Sequence, residues 1–148
     1  MERLSSDERR AHISGSPWPL NILVSSHAFA PSLGGIETVS ALLAEEFVKA
    51  NHSVVIVTQS PGESDRTEFG AQIVREASVA ELRRLVKWCD VFWHNNLSIR
   101  AMWPGLLLGK PLVVTHSGSY CRRPAGLDAV LRLKHAIVNR VTSVAISR

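Results

Sequence analysis

Two adjacent glycines, Gly34 and Gly35, stand where the apolar run Asn21–Ser26 hands over to a helical pattern, within the stretch HAFAPSLGGIETV. Glycines at a helix N-terminus let the backbone approach a ligand closely and aim free N–H groups at it, an arrangement that suits a phosphate. The same pair also makes a tight turn into a helix, and the local sequence leaves both readings open. The stretch is neither a GxGxxG fingerprint nor a Walker loop, which disfavours a dinucleotide or a P-loop triphosphate. Glu37 falls in the first helical turn, where the dipole favours an acid by roughly 0.3–1 kcal/mol. It reads as a helix-start residue first and a ligand-facing carboxylate second.

Other polar residues follow other apolar runs. His27 follows the first, His94, Asn95 and Asn96 close the fourth, and Thr115, His116, Ser117, Gly118 and Ser119 close the fifth. Imidazole titrates near neutrality, so His116 and His94 are candidates for acid/base work or hydrogen bonding, with His116 the catalytic candidate. No HExxH and no third carboxylate accompanies them, and no metal site is expected. Asn95 and Asn96 read equally as caps of a following helix. Tyr120 and Arg122, beside Arg123, form a basic loop suited to a phosphorylated or sugar substrate, with plain solvation as the alternative. Arg83, Arg84 and Lys87 give a basic helix face suited to anionic lipid, again against ordinary solvation. Cys89 and Cys121 lie in no CxxC spacing, so neither a disulfide framework nor a zinc site is indicated.

The elements that must position these residues alternate along the chain. Strands are expected over Asn21–Ser26, Ser53–Gln59, Asp90–Asn95, Pro111–Ser117 and Thr142–Ser147, with a weaker edge strand over Ala71–Glu76. Most are continuously apolar, as strands buried on both faces are. Between them, stripes of mainly apolar residues at three- and four-residue spacing mark helices: Ile36, Val39, Leu43 and Phe47; Val79, Leu82, Leu85 and Val86; Leu127, Val130, Leu131, Lys134 and Val138. This is an α/β pattern, a Rossmann-like doubly wound parallel sheet of about six strands with helices on both faces. Right-handed crossovers order it 3-2-1-4-5-6, opening a crevice at the carboxyl ends of the first and fourth strands.

Composition bounds the function. The 148 residues, 45% of them hydrophobic, suffice for one domain, expected over 20–148 behind a polar tail over 1–19. The 17 Lys+Arg against 13 Asp+Glu give +4, a mild lean toward anionic partners. No apolar run approaches a membrane span, and MERLSSDERR lacks the apolar core of a signal peptide, so a cytoplasmic protein is expected.

The stretch FAPSLGGIETVSALLAEEFVKANHSVVIVT resembles the opening of the family 4 type glycosyltransferases of GT-B fold, with its F-x-P-x-x-G-G-x-E segment followed by a helix and G-H-x-V-x-V-x-T. Phe29, Pro31, Gly34, Gly35, Glu37, His52, Val54, Val57 and Thr58 fall on that pattern. DVFWHNN, GKPLVVTHSGS and VTSVAIS resemble later segments of the same family in the same order. Asn51 replaces the usual glycine before His52, and His116 follows Thr115 directly where the family commonly leaves one residue between, so Ser117 stands at the family's histidine.

The resemblance implies the acceptor-side domain of a retaining, two-domain enzyme that moves a sugar from a nucleotide-sugar donor to a glycan, lipid or small-molecule acceptor. It implies no cofactor, no metal and no nucleic-acid partner. The donor-binding domain, with its pair of glutamates, is not in this sequence and is expected in cis or in trans. His116 is then the catalytic candidate, and Gly34, Gly35, Glu37, His94, Asn95, Ser117, Tyr120 and Arg122 are the substrate-binding ones. The membrane surface is a further expected location. A non-catalytic sugar-, phosphate- or protein-binding module and a split transferase subunit are the competing readings.

Overall fold

The computed structural model describes residues 19–31, 34–96, 98–116 and 142–145. They form β1 (Asn21–Ser26), α1 (Gly35–Lys49), β2 (Ser53–Thr58), β3 (Gln72–Arg75), α2 (Val79–Trp88), β4 (Val91–Asn95), α3 (Ile99–Leu107), β5 (Leu112–His116) and β6 (Thr142–Ala145). The six strands make one sheet in the order β3-β2-β1-β4-β5-β6, and every neighbouring pair is parallel. That is the order the crossover rules give for this succession of elements. The tail and the helix expected over 127–138 lie outside the described residues.

Both faces of the sheet are covered, which is why its strands are apolar without alternation. Toward α1, Ile22, Val24, Val54, Ile56 and Ile73 pack with Phe29 and Ala44. Toward α2 and α3, Leu23, Val55, Val57, Phe92, Leu112 and Val114 pack with Leu85, Val86 and Met102. β2, β3 and β4 each lie one residue inside an expected bound.

Local chemistry fixes the helix ends. α1 stops where Asn51 enters the left-handed region at φ 66°. The Asn51 amide returns to the Val48 carbonyl and the His52 amide to that of Phe47, at 2.9 and 3.0 Å. This is a Schellman stop with asparagine in the glycine position. His52 is structural here: its Nδ1 accepts from the Leu20 amide at 3.1 Å and pins the entry to β1. α2 starts at Ser78, whose hydroxyl accepts from the Glu81 amide.

Helix α3 follows Asn95 and Asn96, where their reading as caps asks for a helix, but none of the expected apolar stripes marks it, and the dipeptide Pro104–Gly105 inside it reads as a break. Pro104 forgoes one intrahelical hydrogen bond. Gly105 explains the exception: a Cβ there would meet Leu112 and Phe92 side-chain carbons at 2.9 Å. The missing side chain lets α3 lie close on β4 and β5.

Candidate functional site

Each central strand ends in a residue able to hydrogen-bond, and the register aligns these ends. Thr58 pairs with Ser26, Ser26 with Asn95, and Asn95 with Thr115. The pleat turns all four toward α1, in line with the apolar residues two positions earlier. They form one row across the carboxyl end of the sheet, each of them buried.

The row is wired to the start of α1. Asn95 Nδ2 donates to the Ile36 carbonyl at 2.9 Å and to Ser40 Oγ at 2.7 Å. Ser40 Oγ lies 2.9 Å from both Ser26 Oγ and the Ile36 carbonyl, and Ser26 Oγ donates to the Ala28 carbonyl at 2.6 Å. β1, β4 and the first turn of α1 are thus held by one polar network at the crevice between the adjacent strands β1 and β4. The loop after β1 is braced as well: the Phe29 amide donates to Ser60 Oγ, and Arg75 Nη1 donates to the Ser60 carbonyl.

The N-terminus of α1 is open. Gly34, at the cap, is extended, and among the described residues no side chain caps the helix. The first return bond is from the Thr38 amide to the Gly34 carbonyl, so the preceding amides have no partner within the helix. Gly34 and Gly35 are exposed. A Cβ at Gly35 would meet nothing within 4 Å, whereas one at Gly34 would collide with the Glu37 carboxylate, which curls back against it. Nothing within the described chain requires glycine at position 35. Oriented amides at the positive end of a 15-residue helix are a site for an anion.

Two buried atoms of the row lack a partner: Asn95 Oδ1 and Thr115 Oγ1. They belong to paired residues on neighbouring strands. Unsatisfied buried polar atoms are rare in folded proteins, and this pair can engage a ligand hydroxyl or a bridging water. Asn96, at φ 73°, turns the chain out of β4 while its amide donates to the Thr115 carbonyl at 2.9 Å.

The structure therefore brings Gly34, Gly35, Glu37 and Asn95 together, and it sets the backbone of His116 one residue beyond Thr115, paired with Ala145. Ser117, Tyr120 and Arg122 lie outside the described residues. His94 is apart from this group. The pleat places it on the α2–α3 face, fully buried, with its ring centroid 4.1 Å from that of Phe92. Neither ring nitrogen has a hydrogen-bond partner, and burial pushes its pKa down to about 3, so the imidazole is neutral at physiological pH. His27 is exposed, and its carbonyl accepts from the Gln59 amide. Cys89 is a free, buried thiol whose pKa burial raises to about 11. Among the described residues no group of His, Cys, Asp and Glu could hold a metal ion, and no helix is long and apolar enough to cross a membrane.

Sequence reasoning does not reach Ser26 and Ser40, and it reaches Thr58 only as a residue of the family pattern. The available signal is that apolar strands close on a hydroxyl, together with a serine five residues after the helix start.

No protein-family model and no curated protein sequence matches the chain. Solved structures do. A glycosyltransferase from Rickettsia africae ESF-5 superposes with a TM-score of 0.54 at 13% identity, over 88% of this chain and 43% of that protein. An α-glucosyltransferase solved with UDP and a 13-mer DNA containing an HMU base gives a TM-score of 0.46 at 18% identity, over 86% of this chain and 38% of its own. The chain spans less than half the length of either protein. It shares its fold with the matched part of a glycosyltransferase.

Proposed function

We propose that this chain is the acceptor-side half of a retaining glycosyltransferase of GT-B type, acting with a donor-binding half supplied in cis or in trans. The observation that carries the reading is the open N-terminus of α1, bolted by Asn95 and Ser40 to the strand ends at the β1–β4 crevice. In the assembled enzyme the Gly35 and Ile36 amides face the donor diphosphate across the cleft. They stabilise the charge that develops on the leaving group, as preorganised N–H donors do. Glycine at position 35 keeps that approach clear, since the space beside it is empty.

On the same floor, Asn95 Oδ1 accepts from hydroxyls of the acceptor or of the transferred sugar, and Thr115 Oγ1 accepts from or donates to them. His116 and Ser117, just beyond Thr115, position the reacting hydroxyl. Glu37 sits at the rim of the cleft beside Gly34, and Tyr120 and Arg122 contribute to acceptor binding. His94, sealed behind the sheet, orients the end of β4 and exchanges no proton with substrate.

The test is a transfer assay with nucleotide-sugars, on the chain alone and on the chain reconstituted with a donor-binding half. The isolated chain gives no turnover and the reconstituted pair does, while Gly35→Val abolishes the pair's activity and preserves its fold. Turnover by the purified chain alone, or unchanged turnover in Gly35→Val, would overturn the reading. Acceptor binding with no transfer under any pairing would make the chain a binding module.

A further inference from the structure

At the opposite end of the sheet the molecule carries a second surface that the cleft does not use. Helices α2 and α3 run antiparallel to the strands, so their C-termini lie at the strands' amino ends, roughly 17–20 Å from the carboxyl ends for strands of this length. The two C-termini are tied together: Lys110, just after α3, donates from Nζ to the carbonyls of Lys87 and Cys89 at the end of α2, at 2.9 and 2.5 Å. This clamp holds the end of α2, which carries Trp88, to the chain two residues after the run Leu106–Leu108. Leu107 is 77% exposed, Leu108 40%, Trp88 37% and Leu106 36%.

Most of the large hydrophobic side chains that the described residues expose are therefore gathered at one corner. Three consecutive leucines at the end of α3 and its cap present apolar surface to solvent, and exposed apolar surface gathered in this way marks a contact with a partner or a membrane.

The charge beside the patch selects the occupant. Arg83, Arg84 and Lys87 are exposed on α2, and Lys110 adds a fourth cation. The nearby carboxylates are Glu81, 3.8 Å from Arg84, and Asp90, which accepts from the Asn21 amide. Three exposed cations, with the clamped Lys110 behind them, against two acids around an apolar tip would repel a second copy of the same face, and they complement an anionic bilayer surface. Leucine and tryptophan side chains enter the headgroup–acyl boundary while lysine and arginine engage lipid phosphates.

We infer that this corner docks the domain onto an anionic lipid bilayer, with Trp88 and Leu106–Leu108 inserted at the interface and the basic face of α2 against the headgroups. Docked in this way, the domain holds its cleft turned away from the membrane. The inference does not depend on the glycosyltransferase reading, and either can fail without the other.

Co-sedimentation of the full chain with phosphatidylcholine vesicles, and with vesicles containing phosphatidylglycerol, tests it. The chain binds the anionic vesicles and not the neutral ones. Leu107→Glu and Lys87→Glu each weaken partitioning about tenfold or more, as expected for losing one buried leucine or one interfacial cation with charge reversal. Leu42→Glu on α1 and Arg66→Glu before β3, both at exposed sites away from the corner, leave it unchanged. All four positions are exposed, and circular dichroism checks that each variant folds. Absence of vesicle binding, an equal loss in the control variants, or a change of oligomeric state in place of lipid binding when Leu107 is altered would overturn the inference.

Discussion

Lowering the pH from 7 to 5 will cost this fold about 2 kcal/mol through a single side chain, His94. The imidazole is fully buried, has no hydrogen-bond partner on either nitrogen, and has its pKa pushed by burial from 6.5 to about 3. An unfolded chain accepts the same proton near pH 6.5. Because the folded-state value is the depressed one, the unfolded state binds the proton first. The contribution is intact above pH 6.5 and is lost as the pH falls toward 3, by about 1.4 kcal/mol per unit.

Urea unfolding at pH 7, 6 and 5 measures the effect. Other histidines and carboxylates titrate over the same range, so the quantity to read is the difference between the wild-type chain and His94→Gln, in which those groups are common to both. The variant should lose about 2 kcal/mol of the wild-type pH dependence between pH 7 and 5. Parallel pH profiles for the two proteins would show that His94 is protonated or solvent-linked in the folded state, and the argument from its burial would fail.

Further expectations concern the row and the helices around it. Asn95→Ala removes both bonds from Nδ2 to α1 and should destabilise the fold by about 1–3 kcal/mol, read from the urea midpoint. Gly105→Ala places a methyl 2.9 Å from carbons of Leu112 and Phe92 and should cost about 1–3 kcal/mol. Gly35→Val meets open space and should shift stability by no more than about 0.5 kcal/mol, so that any loss of binding in it is local to the ligand.

The sheet was legible because a strand buried on both faces is written as a short uninterrupted run of β-branched residues, and the crossover rules then leave little choice of order. Asn51 was legible for a similar reason: a helix stop needs a left-handed residue, and asparagine is one of the few that accept it. Helix α3 was not, since Pro104–Gly105 carries the local signature of a break, and its packing role appears only when β4 and β5 lie beneath it. His94 and Asn95 show the limit for the site. They are adjacent in sequence and look equivalent at a strand end, yet the two-residue period of the pleat sends one into the core behind the sheet and the other to the floor of the crevice. The cross-strand role of Ser40 shows only in the tertiary structure, because its side-chain partners Ser26 and Asn95 lie 14 and 55 residues away.

The most direct measurement of the central claim is an amide chemical-shift map of the 15N-labelled chain titrated with UDP, with uridine as the control. The account predicts shifts in the Gly35, Ile36 and Glu37 amides that appear with UDP, are absent with uridine, and disappear in Gly35→Val. Shifts confined to residues away from the start of α1, or equal shifts with uridine, would contradict it.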